Sequence, residues 1–233
     1  MTNANLLSKD RCVDIVFCID GTGSMHPCIE SVKKNALRFH ADFTRALTGI
    51  GSAVSMLRVR TVVFRDYKSE GADAILPGRF YELPDEEKDF AGHLGHIHAS
   101  GGCGEDANGL EALYYAMRSD FSTGANDRQV IVLFADTDAI PLGKRRRIAS
   151  YPKDMVTPDG LLETWMCLQT RSTRLRERNK RLVMFAPPGT VYERMGQTFN
   201  RSVFVPVEIH KGLDGVDFDD IVKIIAASAS AAS

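Results

Sequence analysis

The stretch IVFCIDGTGSM, residues 15–25, runs an apolar segment directly into an acid, two glycines, two hydroxyls and then residues able to start a helix. An apolar run without polar alternation reads as a strand covered on both faces, the usual situation of a parallel sheet. Runs of the same kind recur at residues 57–64, more weakly at 75–83, and at 130–135, 182–186 and 203–209. Helix-like patterns lie between them. In CIESVKKNALRFHADFTRAL, residues 28–47, the apolar positions Ile29, Val32, Ala36, Phe39, Phe43 and Leu47 recur at spacings of three and four, one face of an amphipathic helix. Similar stripes occupy 110–117, 161–168 and 218–225. The alternation predicts an α/β domain, a doubly wound and mostly parallel six-stranded sheet flanked by helices.

With 233 residues, 44% hydrophobic and 25% charged, one large core is expected. The domain is expected over 13–227, after an N-terminal extension at 1–12. The low-complexity tail at 228–233 is expected to fray beyond the last helix. The 29 basic and 30 acidic side chains leave a net charge of −1, so no global field selects nucleic acid or an anionic membrane. The N-terminal residues lack the pattern of a secretory signal and no apolar run is long enough to span a bilayer, which points to the cytoplasm. Five scattered cysteines (Cys12, Cys18, Cys28, Cys103, Cys167) without a CxxC pair fit reduced thiols. The segment PLGKRRRIASYPKDMVTP, 141–158, reads as a long polar loop. Its Arg145, Arg146 and Arg147 are candidates for contact with an acidic partner.

Several sites begin with a strand, an acid and small residues. A Walker loop needs a lysine after its glycines, but the nearest are Lys33 and Lys34, inside the next helix. A haloacid-dehalogenase-type phosphatase needs an aspartate two residues before Asp20, where this chain has Cys18. Sugar-kinase and actin-like folds follow the Asp-Gly-Thr turn with a hairpin, whereas HPCIESVKKNALRF is helical in pattern. A metal site with carboxylate and hydroxyl ligands remains, because Mg²⁺ favours oxygen donors. Asp20, Thr22 and Ser24 stand at i, i+2 and i+4, with Gly21 and Gly23 between them to permit a tight turn. The competing structural reading is a helix N-cap cluster.

These residues resemble the DxSxS motif of von Willebrand factor A domains, with Thr22 at the central position. FRDY (64–67), SGGCGEDANGLEALYYAMRSD (100–120) and VIVLFADTDAIPLG (130–143) are similar to a bacterial branch of that family associated with tellurite-resistance and kinase–phosphatase gene clusters. The resemblance implies an antiparallel edge strand and a metal-ion-dependent adhesion site in which Asp20, Thr22, Ser24 and Asp136 hold Mg²⁺ or Mn²⁺. It also implies a non-enzymatic interaction module that takes up a carboxylate from a protein partner, with a kinase or phosphatase as a candidate. An acid is implied in the second loop, where an equal-length match puts Gly104. Glu105, Asp106 or Asp66 can replace it, or a water. Asp138 is a candidate outer group around Asp136. Two other readings stay open: a metal-free scaffold for a kinase or phosphatase, and a Mg²⁺-dependent phosphate-binding or phosphoryl-transfer enzyme.

His93, His96 and His98 read as surface histidines at a helix end, and Trp165 as a core residue.

Overall fold

The computed structural model describes residues 11–101, 106–168, 173–208 and 217–231. The opening stretch forms β1 (Cys12–Asp20), which passes through a 3₁₀ turn at Gly23–Met25 into α1 (His26–Gly49), β2 (Met56–Phe64) and a one-turn α2 (Tyr67–Glu70). Then come β3 (Ile75–Pro77), β4 (Tyr81–Leu83), α3 (Glu87–Gly95) and α4 (Gly109–Met117). The chain continues through β5 (Arg128–Phe134), α5 (Pro158–Trp165), β6 (Lys180–Ala186), α6 (Val191–Thr198), β7 (Ser202–Pro206) and α7 (Phe218–Ser230). The sheet order is β3-β2-β1-β5-β6-β7, with β4 also on β2, and the pairs among β2, β1, β5, β6 and β7 are parallel.

Strand residues alternate between two apolar layers. Val13, Ile15, Phe17 and Ile19 of β1 pack under α1, α3 and α7, while Val16 and Cys18 point to the layer of α4, α5 and α6. Trp165 is fully buried in the second layer, as its stripe predicts. Among the described residues no helix is long and apolar enough to cross a membrane.

The sheet has seven strands and not six, and the reason is local. Residues 75–77 and 81–83 follow the same antiparallel edge of β2, but the pairing register slips by one residue between Val62↔Pro77 and Val59↔Tyr81. One expected strand is thus split by a bulge at 78–80, a device that blunts an exposed edge.

The tail also differs from expectation. α7 continues to Ser230 because Ala226 and Ala229 extend the buried stripe of Ile221, Val222 and Ile225. The guanidinium of Arg11 donates to the Ala229 carbonyl and that of Arg181 to the Ala231 carbonyl, 2.6 Å, satisfying the open end of the helix.

At the start of α4, a Cβ on Gly109 would collide with the Tyr192 hydroxyl and approach Phe64 at 3.2 Å. Gly109→Ala is therefore expected to lower stability by about 1–3 kcal/mol in urea unfolding. An unchanged midpoint contradicts this packing.

His93 is a correction: it is half-buried, its Nε2 lies 2.8 Å from Thr61 Oγ1, and burial lowers its pKa. His96 Nδ1 meets Gly92 O at 2.8 Å, and His98 is exposed.

Candidate functional site

The sheet reverses its winding at β1. The chain leaves β1 for β2 on one side and later returns to β5 on the other, so the carboxyl ends of β1 and β5 frame a topological switch point, where open α/β sheets bind ligands. Asp20 is the last residue of β1, and Asp136 lies two residues beyond β5. Ile19 pairs with Phe134, so both acids leave neighbouring strands at the same level.

Both carboxylates are fully buried, an arrangement that costs several kcal/mol per charge unless partners compensate. Little compensation is present. Asp20 Oδ1 accepts from the Thr22 amide at 2.9 Å, but Asp20 Oδ2 and both oxygens of Asp136 have no hydrogen-bond partner. Burial pushes the Asp20 carboxyl up to about 7, and the nearby charge of Asp136 adds to the rise, against the lowering effect of Thr22 and Arg65. The hydroxyls of Thr22 and Ser24 lie 3.4 Å apart on the turn. Neither caps a helix: Thr22 precedes the 3₁₀ turn without a side-chain cap bond, and α1 is entered through Met25, also without one. This removes the N-cap explanation for the cluster.

The turn is held by backbone. Gly21 N donates to Phe64 O at 2.8 Å, Ser100 N to Gly21 O at 2.9 Å, and Gly23 N to Gly101 O at 3.0 Å. A Cβ on Gly21 would come within 2.8 Å of Val63 Cγ1, so this position requires close approach. Arg65, buried beneath the turn, donates from Nε to Gly21 O at 3.0 Å and from Nη2 to His98 O at 2.5 Å.

The other candidate residues have different fates. Asp66 does not fill the gap left by Gly104: its two oxygens accept the fork of Arg145 at 2.7 and 2.6 Å, and Oδ1 also accepts the Lys68 amide. Asp138 Oδ1 accepts the Ala139 and Val191 amides at 2.8 Å each, joining this loop to the start of α6. Asp106 is exposed and engaged in a contact of its own. Glu105 and Gly104 lie outside the described residues. Arg145 is taken up by Asp66, Arg146 Nη2 donates to the Met155 and Val156 carbonyls at 2.8 Å, and Arg147 is exposed. The polar loop is thus a strap stitched to the crest, with Tyr151 and Met155 buried beneath it.

Two contributors were not singled out by sequence reasoning. Thr137 is buried with an unpartnered hydroxyl directly after Asp136, and Arg65 braces the turn. A hydroxyl between two acids in ADTDA was the only available signal for Thr137. Among the described residues no three His, Cys, Asp or Glu side chains group as a metal site by themselves. The crest is a different donor set, two carboxylates and small hydroxyls. Such hard oxygen donors, with three carboxylate oxygens unclaimed, fit Mg²⁺ or Mn²⁺.

No protein-family model matches the chain, and no curated protein matches it. Among solved structures, the pilus adhesin SpaC from Lactobacillus rhamnosus GG aligns over 95% of this chain with 10% identity and a TM-score of 0.56. Its open conformation aligns over 94% with 11% identity and a TM-score of 0.50. Proximal thread matrix protein 1 from the mussel byssus aligns over 95% of this chain and 49% of its own, with 12% identity and a TM-score of 0.46. The chain spans 31% of the length of SpaC in the first of these alignments. At such identities the likeness to SpaC is one of fold, a mostly parallel α/β sheet between helical layers.

Proposed function

We propose that this chain is a von Willebrand factor A-like interaction module that binds a protein partner through a carboxylate at a Mg²⁺ or Mn²⁺ site held by Asp20, Thr22, Ser24 and Asp136. The observation that carries the reading is the pair of fully buried carboxylates at adjacent strand ends with three oxygens unclaimed. A divalent cation bound there supplies positive charge to both acids and a position that an incoming carboxylate can occupy. The chain's own contribution is to hold the donors in place. Backbone bonds from Gly21 and Gly23 and the Arg65 brace fix the turn, while Asp138 ties the Asp136 loop to α6.

The reading is non-catalytic, as the resemblance implies, with the crest hydroxyls of Thr22 and Ser24 cast as ligands beside the carboxylates. It extends to a cytoplasmic adaptor in a bacterial stress-response or defence system, with a kinase or phosphatase as the acidic partner. This extension rests on the resemblance of FRDY, the 100–120 stretch and the 130–143 stretch.

A metal-free scaffold has one observation in its favour: with the Asp20 carboxyl pushed up to about 7, the acid pair can carry a proton where the first reading puts a cation. Calorimetric titration separates the two. Mg²⁺ and Mn²⁺ are expected to give a one-site isotherm with the wild type and none with Asp136→Ala, whereas absence of heat with both proteins rejects the metal-dependent reading.

A further inference from the structure

β2 carries two arginines, Arg58 and Arg60, toward the α4 layer, and their surroundings differ. Arg58 forms a bidentate ion pair with the fully buried Asp14, at 2.7 and 2.6 Å. Among the described residues Arg60 has no carboxylate partner. It donates from Nη1 to Ser119 Oγ at 3.0 Å, its guanidinium lies 5.6 Å from the Phe80 ring centroid, and its Nε is buried without a partner. Burial draws its pKa down, with only the Cys18 thiol acting in the opposite direction. A half-buried guanidinium of this kind leaves an unmet demand for an anion.

The space beside it can accept one. A cleft of about 310 Å³ is lined by Arg60, Pro77, Tyr114, Tyr115, Arg118 and Asp154. That is at the small end of the roughly 300–1,000 Å³ typical of ligand sites. Arg118 sits 5.4 Å over the Tyr114 ring and pairs with Asp154 at 3.0 Å, an ion pair whose members are 42% and 73% exposed. Such an exposed pair contributes at most about 1 kcal/mol, so a better anion displaces Asp154 readily. The cleft is separate from the crest: Arg60 pairs with Val16 in mid-sheet, four residues before the end of β2. At about 3.3 Å per residue that is roughly 13 Å along the strand.

We infer that this cleft binds a phosphate monoester carried on an apolar or aromatic group, with the guanidinium forks of Arg60 and Arg118 on the phosphate and Tyr114, Tyr115 and Pro77 around its carrier. A dianion meets two guanidinium groups where a carboxylate meets one, and planar forks match tetrahedral phosphate oxygens in pairs. The inference is independent of the metal reading.

The test uses the full chain with a chelator present, so that the crest cannot capture phosphate through a cation. Phenyl phosphate, inorganic phosphate and benzoate are titrated and followed by calorimetry and amide chemical shifts. Phenyl phosphate is expected to bind tighter than both others. Arg60→Lys, which keeps the charge and loses the fork, and Arg118→Gln are each expected to weaken it about tenfold, while Asp154→Asn strengthens it severalfold by removing the competing carboxylate. Arg118 and Asp154 are exposed, so their variants keep the unfolding midpoint. The gain in Asp154→Asn is a result that a merely structural role for these residues does not produce. No binding of phenyl phosphate to the wild type, or equal affinity in the wild type, Arg118→Gln and Asp154→Asn, overturns the inference. A tyrosine-phosphorylated peptide and a nucleoside monophosphate form two further arms. Tighter binding of either one identifies a protein-borne or a small-molecule source, and failure of both to compete with phenyl phosphate counts against the site.

Discussion

Asp136→Asn is expected to reverse the order of stability between two solutions. In chelator the wild type holds two acidic side chains in a buried site with three oxygens unclaimed. Removing one charge relieves both its own desolvation and its repulsion of Asp20, and the gain is expected to be about 1–2 kcal/mol despite the poorly paired amide left behind. In millimolar Mg²⁺ or Mn²⁺ the wild type gains by ligand linkage, about 2.7 kcal/mol at a hundredfold excess over the dissociation constant, and the variant gains nothing. Urea unfolding in the two solutions should therefore cross over. If Asp136 only supports the fold, the variant is weaker in both solutions by the same amount, and the metal site is refuted.

Asp20 carries the second large effect, and it acts through pH. Its folded carboxyl is raised to about 7 from an ordinary 3.8, so between about pH 4 and 7 the folded protein holds a proton that the unfolded chain has lost. Unfolding then releases this proton, and the contribution of Asp20 to metal-free stability is fully present below pH 4 and is lost as pH rises through the window. The slope is up to about 1.4 kcal/mol per pH unit, or about 4 kcal/mol across the window, before levelling above pH 7. A cation competes with the same proton. Its apparent affinity should climb up to about tenfold per pH unit below 7 and then flatten, with uptake of metal releasing protons to the buffer. Denaturation curves in chelator from pH 4 to 8 measure the first half, and calorimetry in buffers of different ionisation enthalpy the second. A pH dependence in chelator that is the same in the wild type and Asp20→Asn contradicts the burial of Asp20 as a neutral acid. Asp136→Asn should narrow the window without closing it, because burial, the larger cause of the shift, stays in place.

Local sequence was sufficient where a single element determines the outcome. The apolar run from Val13 to Ile19 needs cover on both faces, so it becomes the centre of a parallel sheet. The glycines of DGTGS permit one tight turn at its end, which brings Asp20, Thr22 and Ser24 together. Asp136 was singled out through the family resemblance and its place after an apolar run, and the register of β1 and β5 brings it level with the end of β1.

Tertiary structure decided what depends on distant partners. Asp66 read as a free acid on the rim, yet Arg145, 79 positions later, claims both its oxygens. Asp138 read as an outer group around Asp136, and the fold joins it to the start of α6 through the Val191 amide. The one-residue slip that splits the edge strand depends on the space beside Thr61, where Gly78 fits and a Cβ would be crowded at 3.1 Å. The end of α7 depends on whether arginines from two other segments reach its last carbonyls, as Arg11 and Arg181 do. Hydrophobic period and turn chemistry act over a few residues and can be read along the chain. The pairing of a charge is determined by whichever opposite charge the finished fold brings within hydrogen-bond reach. For this protein the sequence by itself therefore determined the sheet, its crest and the acids that end β1 and follow β5, while only the folded chain decided which of the described acids were left with oxygens that lack a hydrogen-bond partner.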